Sequence, residues 1–399
     1  MIDQIIPKLR SDLKYNQIEQ NGVILFVVFD EIGLIQQPVA FHETELAILK
    51  LIDGNSSIEI ILQNLNNPKI STYDLIGFIN LLVQNNFLDT EDVLTAKERI
   101  KNYLKSSIKE SVCNGSTYPN DPYELKKYLN YMLNSSKKSD IKFDGIMAPH
   151  LDYRTGPNTH STYARAFNSL DTEDIELIVL FGTAHYRSTN DFMFTKKNYK
   201  TPLGIIDTDK EFLNLLEANC NIHYDDLAHI NEHSLELHIV LLQHIFNNNK
   251  IKVLPILTGT TYEYFKSNNS PNKNEEYLAF IDNFKNTLTQ YNKKTLFLAS
   301  GDLCHIGQKF GDTEDAAILE QDIKLFDDKL INSIQNNNKD DFFQLVNTQF
   351  ESKRVCGTFP FYVIQDIMNP TQIDKLNYNF WYEKETKSAV SICSMGLKY

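Results

Sequence analysis

The chain has 399 residues, enough for two domains, and its 42% hydrophobic and 23% charged content is that of a folded globular protein, not a disordered or fibrous one. A formal net charge of −13 opposes a nucleic-acid-binding role, because such surfaces neutralise phosphates with clustered lysine and arginine. The start MIDQIIPKLRSDLKY has no basic stretch leading into an apolar one, and no apolar run approaches the ~20 residues of a membrane span, so the expected compartment is the cytoplasm, with no membrane partner.

In chain order, the apolar run 23–29 predicts a buried strand, and Glu31, Ile32 and Gly33 predict a turn leading into Leu34 and Ile35, so a β-hairpin is expected first. Leu46, Ile48, Leu49 and Leu51 recur at helical spacing and stop at Asp53 and Gly54. Ser57 or its neighbour caps a second helix through Ile58, Ile61 and Leu65. Ser71 and Thr72 open a third with Leu75, Ile76, Ile79, Leu82 and Val83 on one face. A hairpin, three short helices and a closing Asn86-Phe87-Leu88 strand make a small winged-helix-like α+β domain over residues 1–93. A charged helical connector, 94–108, follows. Asp121 then caps a helix with Pro122 at its first position.

From residue 143 the pattern alternates short apolar runs (145–148, 175–181, 251–257, 295–299) with helical stretches, which implies an α/β domain over 109–399 with a helix-flanked sheet and parallel strands. The first, second and fourth runs end in polar clusters: Ala148-Pro149-His150-Leu151-Asp152, Gly182-Thr183-Ala184-His185 and Ser300-Gly301-Asp302-Leu303-Cys304-His305. Loops beyond the carboxyl ends of parallel strands form the ligand crevice of open sheets, so these clusters are expected to meet. A fourth element, AHINEHSLELH at 228–238, adds three histidines and two carboxylates. Glu232 and Glu236 share a helix face if the helix extends that far.

His150 and His185 follow strand ends directly and are read as metal ligands, since neutral imidazole is the commonest protein ligand for zinc, copper and iron. Cys304 offers a thiolate to complete the site. Its alternative is a small buried hydrophobe. His160, His223 and His244 are read as ordinary surface or hydrogen-bonded histidines. Five widely spaced cysteines without a C-x-x-C pair argue against a disulfide framework.

The motifs APHLDYRTG (148–156), GTAH (182–185), TPLG (201–204), AHINEHSLELH, LPILTG (254–259), SGDLCHIGQKF (300–310) and CGTFPFYV (356–363), with NGSTYP at 114–119, resemble in order those of the Memo family, the kind called AmmeMemoRadiSam system protein B. The resemblance implies the mixed-sheet fold of class III extradiol ring-cleavage dioxygenases and places His150, His185 and Cys304 on ligands of a redox metal, Fe(II) or copper. His233 falls beside the metal. The N-terminal part resembles PqqD-like domains, which bind leader peptides. Leu151-Asp152, Tyr186 and Gly301 depart from the family pattern.

These readings imply a mononuclear site on His150, His185 and Cys304, with His233 as proton shuttle and Asp302, Glu232 and His305 orienting the ligands, in a redox or oxygenase-type enzyme. The alternative is a non-catalytic metal-binding or peptide-binding module working with a radical-SAM enzyme. Zinc hydrolysis with Glu232 or His233 as base is the weakest reading, as no H-E-x-x-H occurs. The small-molecule substrate is not legible in the sequence.

Overall fold

A computed structural model describes residues 4–20, 22–35, 38–247 and 251–399, and the chain divides into two units, Met1–Ser106 and Ser107–Tyr399. In the first, β1 (Lys14–Gln20) pairs antiparallel with β2 (Val23–Phe29), which pairs antiparallel with β3 (Val39–Phe41). The hairpin partner of the 23–29 run is therefore upstream. The sequence hid β1 because KYNQIEQ has no apolar face, and every one of its residues is exposed. Leu34 and Ile35 form no strand. The Asp30 carboxylate accepts the N–H groups of Gly33, Leu34 and Ile35 and folds that segment into a turn.

Three helices follow, Glu43–Leu49, Ile58–Leu65 and Thr72–Gln84, the second and third capped by Ser57 and Ser71 as their sequences demand. They bury Ile48, Ile61, Leu75 and Leu82 against Phe41 and Phe87. The charged helix Glu91–Lys105 closes this unit instead of standing between domains. It buries Val93 and Ile100, and Lys97 pairs with Asp12 and Asp89 at 2.6 and 2.7 Å.

The second unit contains, in chain order, β4 (Ile108–Glu110), β5 (Gly145–Ala148), β6 (Leu177–Thr183), β7 (Phe192–Phe194), β8 (Asn198–Thr201), β9 (Gly204–Ile206), β10 (Lys252–Thr258), β11 (Thr295–Ser300), β12 (His305–Gly307), β13 (Gln372–Glu383) and β14 (Ser388–Lys398). The main sheet runs β12-β14-β5-β11-β6-β10-β7, with β13 pairing β14. Its centre, β5-β11-β6-β10, is parallel, as the alternation of strands and helices predicts. Strands β7, β12, β13 and β14 add antiparallel edges and make the sheet mixed.

Because side chains alternate across a strand, both faces of the parallel strands are apolar. Val179, Phe181, Ile256 and Phe297 join one core with helices Glu275–Tyr291 and Thr358–Met368. Ile178, Leu180, Val253 and Leu298 join the other with helices Pro122–Leu133, Pro157–Phe167 and Glu236–Phe246. Helices on both faces are what a parallel sheet requires. Among the described residues no helix is long and apolar enough to cross a membrane.

Candidate metal centre

Strand β11 lies between β5 and β6. The loop carrying Asp302 therefore emerges between the loops carrying His150 and His185, and the three carboxyl-end clusters converge. The imidazole centroids of His150 and His185 lie 4.9 Å apart, those of His150 and His233 5.3 Å, and those of His185 and His233 4.9 Å. His150 Nε2 faces the Cys356 sulfur at 3.2 Å and Asp302 Oδ2 at 3.8 Å. Two sets of donor atoms, each within 4.8 Å of one another, thus share His150: one with His185 and His233, the other with Asp302 and Cys356. Either set is close enough to hold a metal ion.

Hydrogen bonds decide which ring nitrogens carry lone pairs. Ser300 Oγ donates to the Ser234 carbonyl at 2.6 Å, so it can only accept from His150 Nδ1, 3.0 Å away. That leaves His150 Nε2 unprotonated and turned into the site. The Glu232 carboxylate accepts His185 Nδ1–H at 2.9 Å and the His185 main-chain N–H at 2.7 Å, which frees His185 Nε2 in the same way. It also accepts the main-chain N–H groups of His233 and Ser234. Donor chemistry and tautomers therefore fit a cation.

The electrostatics agree. Burial, reinforced by His185 and His233, drives the His150 pKa well below its ordinary value and keeps the ring neutral. Burial opposes charge on Glu232, but the His185 and His233 bonds outweigh it and hold the carboxyl well below the usual range. For His233, burial is outweighed by Glu232, and its pKa rises. Burial pushes Asp302 up to about 6 against the bond from His150 N–H. Burial and the nearby Asp302 push the Cys356 thiol well up and keep it protonated.

Cys304 does not meet the histidines, which corrects the expectation that it supplies the thiolate. It is fully buried in the core on one face of the sheet, and its thiol donates to Asp327 Oδ1 at 3.2 Å. The sulfur beside His150 belongs to Cys356, immediately before helix Thr358–Met368. Gly357 N–H donates to the Asp302 carbonyl at 2.9 Å. A β-carbon on Gly301 would collide with the Gly357 main chain. Paired glycines thus let two chain segments touch and deliver Cys356 to the site. The sequence signal was the Cys-Gly dipeptide itself, together with glycine at 301.

The segment 228–238 also differs from expectation. Helix Asp226–His229 ends before Glu232 and the next helix begins only at Glu236, so Glu232 and Glu236 do not share a helical face. Glu232 serves His185. Glu236 instead accepts from Lys109, Tyr118 and the main-chain N–H groups of Val112 and Cys113. His305 stands at the rim with Nδ1 donating to the carbonyls of Leu303 and Arg354, and burial lowers its pKa to about 4. His160, His223 and His244 are occupied by Tyr153 O, Thr189 and Asn130 respectively.

His150, His185, His233 and Asp302 line a cavity of about 950 Å³, whose walls also include Leu151, Tyr186, Leu237, Phe310, Trp381 and Val390. Trp381, Val390 and His305 form a row across β13, β14 and β12. A polar, metal-competent base under apolar and aromatic walls is the usual build of a small-molecule site.

Residues 109–396 match the family model described as Memo-like protein. The chain is 27% identical over 379 residues to a MEMO1 family protein of Aquifex aeolicus, covering 93% of this chain and 95% of that one. It is 26% identical over 235 residues to a MEMO1 family protein of Nitrosopumilus maritimus, covering 55% and 78%. Against a MEMO1 family protein of Schizosaccharomyces pombe it is 25% identical over 297 residues, covering 66% and 89%. The Aquifex match extends well into the first unit.

Proposed function

The chain belongs to the Memo family, and on that premise we propose that its second unit holds a mononuclear redox-metal centre at His150, with Asp302 and Cys356 on one side of that histidine and His185 and His233 on the other. Iron(II) or copper is the ion, and an oxygenase-type or other redox reaction is its chemistry. The observation that carries this reading is the 3.2 Å approach of the Cys356 sulfur to the unprotonated Nε2 of His150. A thiolate beside imidazoles is a soft donor set that suits iron and copper. When bound, such an ion supplies electron transfer and open coordination positions for a small ligand.

The protein's own residues have distinct tasks. Glu232 fixes the tautomer of His185 and holds His233 beside it. His233, charged more readily through Glu232, stores a proton at the cavity edge. Asp302 lies 3.9 Å from His305 Nε2 and can pass a proton between the cavity and that histidine at its rim. The apolar walls limit water. The test is metal analysis of anaerobically purified protein with spectroscopy of its nitric oxide adduct. Wild-type protein that binds neither added iron nor copper would sink the proposal.

A second reading, a module that captures a peptide and works with a radical-SAM enzyme, is favoured by one feature of the first unit. Strand β1 is an edge of its sheet, is exposed along its whole length, and carries Tyr15 and Ile18 in the open. An unpaired edge of this kind accepts an added strand. Titration of the full chain with precursor peptides from neighbouring genes, followed by amide exchange of β1, tests it. Unchanged exchange with every peptide would exclude it.

A further inference from the structure

His238 is fully buried in the helix Glu236–Phe246, whose other buried residues are apolar apart from Glu236, which pairs with Lys109. Its ring lies among Tyr163 and Phe167, with centroids 6.1 and 5.6 Å away. A leucine would suit that environment better. The histidine leaves Nδ1 buried without a partner. What it makes instead is one bond: Nε2–H donates to the Pro149 carbonyl at 2.9 Å. Since a carbonyl only accepts, the proton sits on Nε2, and the low pKa that burial imposes, about 4, keeps the ring neutral in that tautomer.

Pro149 precedes His150, and the carbonyl on the other side of His150 is held as well. Tyr163 Oη–H donates to the Leu151 carbonyl at 3.0 Å, while His150 N–H donates to Asp302 Oδ1 at 2.9 Å. The peptide group between Pro149 and His150 is thus held at both its carbonyl and its N–H, and the one after Leu151 at its carbonyl. With its main chain fixed and its Nδ1–H held by Ser300 Oγ at 3.0 Å, the imidazole presents its Nε2 in one direction.

We propose that His238 is a positioning residue that, with Tyr163, clamps the main chain around His150 and so aims its Nε2 at the metal position. The inference rests on the metal-centre reading. It adds a residue that touches no metal and no substrate.

The test is anaerobic titration of full-length metal-free protein with Co²⁺ alone, comparing wild type with His238→Leu and His238→Gln. The leucine variant is expected to bind Co²⁺ about tenfold or more weakly, with an altered visible spectrum, while without metal it stays folded and loses no more stability than one buried hydrogen bond is worth. Gln, whose side-chain amide N–H can reach the Pro149 carbonyl, restores affinity and spectrum. Wild-type affinity and spectrum in the leucine variant, or no recovery with Gln, overturns the inference while leaving the metal centre intact. If the leucine variant does not fold, Gln is compared with the shorter Asn; equal binding by the two overturns it. Wild type that binds no Co²⁺ overturns the metal centre and the inference with it.

Discussion

Glu236 and Lys109 form an ion pair at 2.7 Å with both side chains 1% exposed. Glu236→Gln keeps the shape of the side chain and removes its charge, which strands the Lys109 ammonium in the interior. Breaking a buried pair from one side costs about 3–5 kcal/mol. The amide also replaces one acceptor oxygen with a donor. One carboxylate oxygen receives Lys109 and Val112 N–H and the other receives Cys113 N–H and Tyr118 Oη–H, so either orientation of the amide breaks bonds. The first thing released is the segment 109–118, of which Val112, Cys113 and Thr117 line the cavity. Native-state hydrogen exchange reads this directly at the amides of Val112 and Cys113. At about 1.4 kcal/mol per factor of ten, their exchange should quicken roughly 10²- to 10³-fold or more. Replacing both partners, Lys109→Met with Glu236→Leu, should recover most of the loss, because no orphan charge remains. Exchange in Glu236→Gln within about threefold of wild type would show that the pair does not hold the segment, contrary to the cited penalty.

Cys356→Ala should lose most of its bound metal, whereas Cys304→Ala should keep it and lose about 1–3 kcal/mol of stability by depriving buried Asp327 of a donor; anaerobic metal analysis beside urea unfolding separates the two, and the reverse pattern would return the thiolate role to Cys304. Burial raises the Asp327 pKa from 3.8 to about 6 despite bonds from Ser391, Tyr378 and Cys304. The folded state therefore holds a proton that the unfolded state gives up, and this stabilisation is complete below pH 3.8 and lost as pH rises through 6. Relative to Asp327→Asn, wild type should lose about 2.4 kcal/mol between pH 4 and 7, since each pKa unit is worth 1.36 kcal/mol; parallel unfolding curves across that range would contradict the assignment. Trp381 is the only tryptophan of the chain and lines the cavity. A ligand that perturbs the spectrum of the Co²⁺-loaded protein should also shift tryptophan emission, and Trp381→Phe should abolish that signal. A spectral change with constant emission would put the ligand away from this wall.

Much of the fold was legible because parallel strands buried on both faces are unbroken apolar runs, and those at 145–148, 175–181, 251–257 and 295–299 stood out as such. Strand β1 did not stand out, since an exposed polar edge has no pattern to read. The departure of Gly301 from the family pattern acquired a cause only when Gly357 was found against it.

The sequence by itself determined the order of elements, the family motifs, and the convergence of His150 and His185, because residues directly after parallel strands must gather at one sheet edge. Only the tertiary structure decided which thiol joins them. Cys304 is four residues beyond the end of β11, yet its side chain turns into the core toward Asp327. Cys356 lies 206 positions from His150 and reaches it through the contact between Gly301 and Gly357. Proximity along the chain places a residue near a site. The direction of its side chain depends on packing that no local pattern encodes.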